Sequence, residues 1–389
     1  MISPLRLTLL AGGAFAVGTS AYVVAGLLPD IAAELGVTVA AAGQLTTVFA
    51  LSYALGAPVL ATLLGRRERR GLLVAALLLA AAGNLLSALA PGYALLMAGR
   101  VLTALGAAAF TPAATHAATL LSPPERRGRA VSAVYTGITV SLVVGVPAGT
   151  LIGGALGYRG VFVVVAALCL AGAVGVRVLL PTVDAPAPVG LRERLAVAAD
   201  RRVLTILGIT VLGLTAVLTV YTYVAPLLAE AAGVTGPVLG ALLVVYGIGA
   251  LVGNDLGGRL TDRLGSRRPL LFALPVITLA LVTLPLTVTS VVGAGIALFV
   301  LGGGFVVNAP VQSQLIELAP GGSALVLSLN ASAIYLGIGL AGLVGGVVVA
   351  TLGVLALPWV GAAFSLLSLG LLLVALRQEP VRGPGSVAA

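Results

Sequence analysis

Three residues with acid–base chemistry lie inside long apolar stretches of this 389-residue chain. Arg100 occurs in "LLMAGRVLTALGAAAF", His116 follows in the same stretch, and Asp255 stands beside Asn254 in a later one. An arginine inside an apolar helix is costly, by about 3 kcal/mol on insertion scales, so Arg100 is expected to face an interior cavity or to reach the surface. Histidine titrates near neutral pH, and a desolvated carboxylate holds its proton more readily. We therefore predict Arg100, Asp255 and His116 as candidates for proton coupling.

The composition predicts an all-α integral membrane protein. Hydrophobic residues make up 60% of the chain, charged residues only 8%, and the mean hydropathy is +1.18, whereas soluble domains carry roughly 25% charged residues. The apolar runs have the length of about twenty residues that a helix needs to cross a bilayer, and they lack the alternation of barrel strands. Twelve transmembrane helices are predicted near residues 5–28, 44–64, 71–90, 94–120, 131–157, 160–180, 203–228, 237–257, 269–289, 291–316, 324–350 and 355–376.

The distribution of basic residues predicts the orientation of these helices. All 21 basic residues are arginine, and all except Arg100 and Arg159 lie in loops or terminal segments on one predicted side. An excess of basic residues marks the cytoplasmic side, so both termini are expected in the cytoplasm of a bacterial inner membrane. This topology accounts for the net charge of +9 and excludes nucleic-acid binding, which would gather the arginines on one folded face.

The second half of the sequence repeats the first. "LLPDIAAELGVT" after the first run is matched by "VAPLLAEAAGVT" after the seventh, at an offset of 197 residues. Tyr135 and Gly153 have counterparts Tyr335 and Gly353 at an offset of 200. The matches predict two pseudo-symmetric six-helix halves in the same orientation, residues 1–183 and 203–389, joined by a cytoplasmic linker over 184–202. Parallel repeats of this kind place a substrate site between the halves at mid-membrane.

A charged loop between the eighth and ninth runs carries the most specific motif. It reads "GGRLTDRLGSRRP" and fits the pattern G-x-L-x-D-R-x-G-x-R-R, whereas the equivalent "ATLLGRRERRG" has Gly65 in the Asp position and Glu68 in the Gly position. With twelve spans in two parallel halves, this loop makes the chain resemble the major facilitator superfamily, and in particular its drug/proton antiporters and sugar-efflux members. The resemblance covers nearly the whole length.

The loop is predicted to act as a conformational latch. Asp262 could dock on the positive end of a helix in the other half or pair with an arginine there, and symmetry nominates the start of span five. Such a contact would exist only while the cytoplasmic side is shut. A plain basic loop would explain the arginines but not the Gly-Asp-Gly pattern. The predicted latch residues are Gly258, Asp262, Arg263, Gly265, Arg267 and Arg129.

Span five carries a small residue at every fourth position from Gly137 to Gly157. This spacing keeps the small residues on one face, where another helix can approach closely. The resemblance implies that this stretch is the antiporter signature, a hinge at the interface between the halves. Its predicted residues are Gly145, Pro147, Gly149 and Gly153.

The resemblance also implies a function and a cavity. Arg100 would take part in proton transfer or fix the charge of a nearby carboxylate, and the pocket would be lined from spans one, four, seven and ten. The expected function is proton-coupled efflux of small organic molecules by alternating access, with a sugar or amino-acid exporter of the same fold as the alternative. The candidate cavity residues are Tyr22, Phe110, Thr111, Tyr221, Tyr223, Asn308 and Gln312.

Other classes of function lack their residues. One histidine and one cysteine, Cys169, cannot build a zinc site or a disulfide, and the acids lie mostly in loops, so an integral-membrane enzyme is not predicted. A channel would need a repeated filter sequence or a ring of charge. The phosphate-binding loop G-x-x-x-x-G-K-[ST] requires lysine, which is absent, so ATP drive in this chain is excluded. We expect a monomer in a lipid bilayer, with no cofactor and no metal, that handles a small organic substrate and protons.

Overall fold

The computed structural model of the chain describes residues 4–123, 126–183, 200–319 and 323–378, and the regular elements in these ranges are all helical. The spans keep the numbers of the predicted runs. Span one is Pro4–Tyr22 with Val24–Leu35, span two Val39–Leu63, span three Arg69–Leu89, span four Tyr93–Leu120, and spans five and six share Arg127–Val140, Ser141–Gly145 and Val146–Leu179. Span seven is Arg201–Thr222 with Val224–Ala232, span eight Gly236–Leu264, span nine Arg268–Thr287, span ten Val291–Gly303, Gly304–Val307 and Asn308–Leu318, span eleven Ser323–Thr351, and span twelve Val354–Ala356 with Leu357–Gln378.

The number of crossings depends on how one long helical segment is divided. Over the described ranges, ten helices are long and apolar enough to cross a membrane, or eleven with the two parts of span one, which meet at 47°. Arg127–Leu179 counts once there but is broken at Gly157, which has φ 68° and ψ 170°. A Cβ atom on Gly149 would lie 3.4 Å from Val161, whereas twelve residues of continuous helix span about 18 Å. The segment therefore folds back at Gly157, and the count becomes the predicted twelve.

Equivalent interruptions occur in the two halves. Span one breaks at Val23 and span seven at Tyr223, 200 residues later. One prediction about the repeat is wrong, because Gly153 is helical whereas its proposed counterpart Gly353 has φ 85°. Gly157 has the matching conformation, since both glycines adopt the positive φ that side chains disfavour where one helix ends and the next turns back. The offset between the two halves is therefore 200 residues within the matched helices but four residues shorter at this turn.

The segment between the halves is only partly described. Residues 184–199 of the predicted linker lie outside the described ranges. Asp200 accepts a 2.8 Å hydrogen bond from the backbone N–H of Arg202 and caps span seven, which begins at Arg201. The predicted end of the linker at residue 202 is therefore two residues late, because an aspartate at this position satisfies a backbone donor of the first helical turn.

The helices of the first half approach each other closely at glycines. A Cβ atom on Gly83 of span three would lie 2.7 Å from the carbonyl oxygen of Gly99, and one on Gly99 of span four would lie 2.8 Å from the carbonyl oxygen of Gly83. Neither position therefore tolerates a side chain without separating the two backbones. This approach leaves Arg100, the next residue of span four, directed into the bundle.

The bundle has two ends that differ in charge. The arginine-rich end contains the turns at residues 64–68, 180–183 and 264–267, and the opposite end contains those at 36–38, 90–92 and 233–235.

Candidate functional site

Arg100 is fully buried in the first half of the bundle. Its Nη1 atom donates hydrogen bonds to the carbonyl oxygen of Ser20 at 2.8 Å and to the Ser20 hydroxyl at 3.4 Å. The guanidinium lies 4.4 Å from the centre of the Phe49 ring, a cation–π contact worth about 2 kcal/mol when desolvated. Of the two predicted positions, Arg100 takes neither fully: it points into the bundle and not to the surface, but it lines neither of the two cavities found in the described ranges.

The guanidinium of Arg100 is only partly satisfied. Its Nε and Nη2 atoms have no hydrogen-bond partner among the described residues, and the two ion pairs found in these ranges involve other arginines. An uncompensated buried charge costs several kcal/mol, and one cation–π contact and the bonds to Ser20 offset only a part. The carboxylate that the family resemblance implies beside Arg100 is thus missing from the described part of the chain.

Ser20 and Asn84 form a polar contact that the sequence analysis did not identify. The Ser20 hydroxyl donates a 2.9 Å hydrogen bond to Asn84 Oδ1, and Asn84 Nδ2 donates to the carbonyl oxygen of Ala80. Both side chains are fully buried. They connect spans one and three around Arg100 and hold the Ser20 acceptor in place. An asparagine inside the apolar run of span three was the available signal.

The other two proton-coupling candidates do not lie with Arg100. The side chain of Asp255 is 61% exposed and forms a 2.8 Å ion pair with Arg259, one turn further along span eight. The prediction that Asp255 is desolvated is therefore wrong for this structure, because it projects from the bundle surface near the end of its helix. His116 is half-buried, and its Nε2 atom has no described partner. It lies sixteen residues beyond Arg100 on the same helix, about 24 Å along the axis.

An aromatic cavity lies between the two halves. It is narrow and is lined by Ala21, Tyr22, Ala25 and Thr46 from the first half and Leu218, Tyr221, Thr222 and Ile338 from the second. Tyr221 stacks on Tyr246 with 4.3 Å between ring centres, and Tyr53 stacks across the interface on Tyr335. The free space inside it is about enough for one water molecule, so a drug-sized occupant would have to widen it greatly.

The structure separates the predicted cavity residues into several groups. Tyr22 and Tyr221 line the inter-half cavity. Phe110 is fully buried against Gly13 of span one, and Thr111 interacts with the Tyr53 hydroxyl. Asn308 lines a different cavity inside the second half, and Gln312 lines neither of the two. Tyr53, Tyr246 and Tyr335, which form the two stacked pairs, were not predicted because they belong to spans two, eight and eleven, which the resemblance did not nominate.

The two halves meet at the opposite end of the bundle. Gln44 Nε2 donates a 3.2 Å hydrogen bond across the interface to the carbonyl oxygen of Gly342, which also accepts a 2.9 Å bond from the Tyr223 hydroxyl. A Cβ atom on Gly342 would lie 2.5 Å from Thr47 Oγ1. Tyr223, predicted as a cavity residue, is instead part of this seal. We call the contact of Gln44, Thr47, Tyr223 and Gly342 the outer seal.

Comparison with known proteins assigns the chain to a family. The sequence model of the Major Facilitator Superfamily matches residues 10–326 and 207–389. The chain belongs to the major facilitator superfamily. It is 36% identical to the inner membrane transport protein YdhP of Escherichia coli (strain K12), covering 95% of this chain and 96% of YdhP. It is 39% identical to a chloramphenicol resistance protein of Streptomyces lividans, covering 67% of each.

A solved structure confirms the fold. The crystal structure of a POT family transporter in complex with a thioalcohol-conjugated peptide superposes with a TM-score of 0.75, covering 95% of this chain and 96% of that one at 13% identity. The chain is therefore a multi-pass membrane transporter and not an enzyme, as the resemblance implied.

The charged loop between spans eight and nine, which carries the superfamily's motif, does not form the predicted ion pair with Arg129 in this structure. Asp262, Arg263 and Arg129 are all exposed, and Asp262 forms no ion pair with Arg129. Span eight ends at Gly265, whose φ of 77° turns the chain towards span nine, and Gln314 of span ten donates a 3.0 Å hydrogen bond to the Ser266 carbonyl oxygen. Gln314 thus holds the loop to its own half, and the predicted ion pair of Asp262 with Arg129 is not made here.

The weakened first copy of the motif, in the loop before span three, caps a helix. Glu68 caps span three by accepting hydrogen bonds from the backbone N–H groups of Arg70 and Gly71 at 2.7 and 2.8 Å. It also accepts a 3.0 Å bond from Val183 N–H, and Arg69 N–H donates to the Val183 carbonyl oxygen. Glu68 therefore fastens the start of span three to the segment that leaves span six.

We expect Glu68→Ala to lower the free energy of unfolding by about 1 kcal/mol, the usual cost of a lost cap. Desolvation opposes ionisation of Glu68, but the bonds from Val183, Gly71 and Arg70 outweigh it and lower its pKa below the ordinary value. The stabilisation is therefore fully present above the unfolded pKa of about 4.3 and is lost as pH falls through the folded pKa. Thermal melts of the purified protein between pH 7 and 3 should show wild type and variant converging; Glu230→Ala, at an exposed position, should match wild type throughout.

The glycines of the predicted hinge in span five pack against span one and not against the second half. Cβ atoms on Gly145, Gly149 and Gly153 would collide with Thr19, Val23 and Leu27 of span one, so this face packs inside the first half. The prediction of an inter-half glycine face is wrong, because spacing of four identifies one face but not its partner. The second half is met by Leu142 and Val143, which lie against Gly247 of span eight, and by Leu151 and the carbonyl oxygen of Pro147, which lie against Gly240. Of the predicted hinge residues, Pro147 therefore does lie at the interface.

Pro147 nonetheless marks an irregularity. The turn Ser141–Gly145 before it is a π-helix. Proline has no N–H, and its ring clashes with the carbonyl oxygen four residues earlier, here that of Val143. A widened turn relieves this clash. The irregular turn lies where span five touches Gly247 of the other half.

Proposed function

We propose that this transporter exports small organic molecules from the cytoplasm by alternating access of a cavity between its halves. The observation that carries the proposal is the aromatic inter-half cavity, sealed at one end by the outer seal and lacking the Asp262–Arg129 contact at the other. With the arginine-rich end in the cytoplasm, this is an inward-facing state. The relative that confers chloramphenicol resistance in Streptomyces lividans supports export of compact aromatic compounds.

We further propose that proton entry drives the export. The candidates remain Arg100, His116 and Asp255, of which only Arg100 is close to the inter-half interface. Its contact with Phe49, which lies 6.4 Å from Tyr335 of the second half between ring centres, gives it a route to respond to closure. A sugar exporter is less well supported, because four of the eight residues that line the cavity are aliphatic, two are tyrosines and two are threonines.

An efflux assay tests both statements. Cells or vesicles containing the protein are loaded with chloramphenicol, other aromatic compounds or sugars, with and without a proton ionophore. We expect export of aromatic compounds that collapses when the proton gradient is removed. Export of sugars alone would contradict the substrate class, and export that is unchanged by the ionophore would contradict proton coupling.

The latch gives a separate prediction. Asp262→Asn should slow export about fivefold at normal surface expression, because the outward-facing state loses a charge–dipole or charge–charge contact of about 1 kcal/mol. Arg129→Gln should have the same effect, and the double variant should be no slower than either single one. Arg126→Gln changes a neighbouring exposed arginine and serves as the control. Wild-type rates in Asp262→Asn would end the latch proposal.

A further inference from the structure

The buried guanidinium of Arg100 has hydrogen-bond donors without a described partner, and it contacts Ser20 and Phe49, which lie close in sequence to residues of the inter-half cavity. Its Nε and Nη2 atoms have no described partner, although its exposure is zero. Buried polar groups in proteins are almost always satisfied. The missing partner must be an acceptor, since a guanidinium only donates.

The surroundings of Arg100 favour an acceptor that carries negative charge. Ser20, which binds Nη1, precedes Ala21 and Tyr22 of the inter-half cavity, and Phe49, which covers the guanidinium, is one turn from Thr46 of the same cavity. The hydroxyl groups of Tyr221 and Tyr246, stacked at the cavity, are also without described partners. The region thus contains one full positive charge and several hydroxyl donors.

Acidic side chains do not fill this need. Of the acids in the described ranges, Asp30 and Glu34 lie beyond the bend of span one, Glu68 and Asp200 cap helices, Glu230 and Glu317 are exposed, and Asp255 and Asp262 lie near the arginine-rich end of span eight. None forms an ion pair with Arg100. The charge must therefore be balanced from outside these residues.

We propose that Arg100 is a subsite for an anionic group, a carboxylate, on the transported molecule. Phe49 covers the subsite in the empty inward-facing state and moves aside when the aromatic part of the substrate enters between Tyr22 and Tyr221. A carboxylate accepts two parallel bonds from a guanidinium, which matches the two unused nitrogens. This inference rests on the proposed export function. It favours aromatic acids over organic cations as substrates.

The test is a binding comparison of 1-naphthoate with 1-naphthamide, which have nearly the same shape and differ in charge. Titrations use the purified full-length protein in nanodiscs of neutral lipid at pH 7. We expect wild type to bind naphthoate at least about tenfold more tightly, the effect of a charge-assisted bond. Arg100→Gln should abolish the preference, Arg100→Lys should keep a part of it, and Arg259→Gln, at an exposed arginine, should leave it unchanged.

Each outcome decides the proposal. Equal binding of the two probes by wild type overturns it without any variant, so failure of Arg100→Gln to fold does not protect it. A preference that persists in folded Arg100→Gln overturns it as well. A chloride titration that displaces naphthoate at equal concentration would identify an inorganic-anion site and overturn the carboxylate assignment.

The proposed function can fail separately. Naphthoate that binds through Arg100 but is not exported from loaded vesicles would contradict export and leave the anion subsite standing. Export of neutral compounds by a protein that shows no preference for naphthoate would contradict the anion subsite and leave the proposed export function standing.

Discussion

Gly83→Leu is expected to reduce the yield of monodisperse protein at least about tenfold. A Cβ atom at this position would lie 2.5 Å from the backbone nitrogen of Thr103 and 2.7 Å from the Gly99 carbonyl oxygen. Both obstacles are backbone atoms of span four, so no side chain can turn away. Over-packing costs 1–3 kcal/mol even where side chains can shift, and here spans three and four must separate.

The same substitution at Gly12 is the matched control for Gly83→Leu. Gly12 lies in span one with an exposed surface, and nothing would lie within 4 Å of a Cβ atom there. Both variants add one leucine to one apolar helix, so their effects on membrane insertion should be alike. Fluorescence-detected size exclusion of the two variants beside wild type measures the yield. Equal yields would show that spans three and four do not depend on this approach.

The elements of the fold could be predicted because a bilayer imposes length and composition on each span. The twelve predicted apolar runs correspond to the twelve spans, but the breaks at Val23 and Tyr223 were not predicted. The boundary errors fall where a single residue decides the conformation. Asp200 caps span seven, which therefore begins at Arg201, two residues before its predicted start. The predicted end of span five at residue 157 agrees with the turn at Gly157, and the error there is the pairing of Gly153 with Gly353.

The site was predicted less well because its contacts depend on which neighbour a helix face meets. Spacing showed that Gly145 and Gly149 share a face but could not show that the face packs on span one. The burial of Arg100 followed from its cost in an apolar helix, whereas its bond to the Ser20 carbonyl oxygen depends on the path of span one. Asp255 was placed by depth along the sequence alone, and the rotation of its helix leaves it 61% exposed.

Gly342→Leu should slow export more than about tenfold while leaving the yield of folded protein near that of wild type. A Cβ atom at Gly342 would lie 2.5 Å from Thr47 Oγ1 and 3.2 Å from the Thr47 backbone nitrogen. Unlike the partners of Gly83, these atoms belong to the other half of the transporter. They approach Gly342 only when the outer seal is closed, so each half can still fold. A leucine side chain between the halves therefore selects the outward-facing state.

Labelling distinguishes a trapped state from a damaged one. Cys169 is the chain's one cysteine and is fully buried in span six, so Thr46→Cys would place a single reactive thiol at the inter-half cavity. A membrane-impermeant maleimide added outside should label this thiol faster in Gly342→Leu than in the parent, and Gly370→Leu, with nothing within 4 Å of its Cβ position, should match the parent. Normal export by Gly342→Leu would mean that the outer seal need not close. Lost export with slower outside labelling would mean that leucine had tightened the seal, and alternating access through this contact would have to be reconsidered.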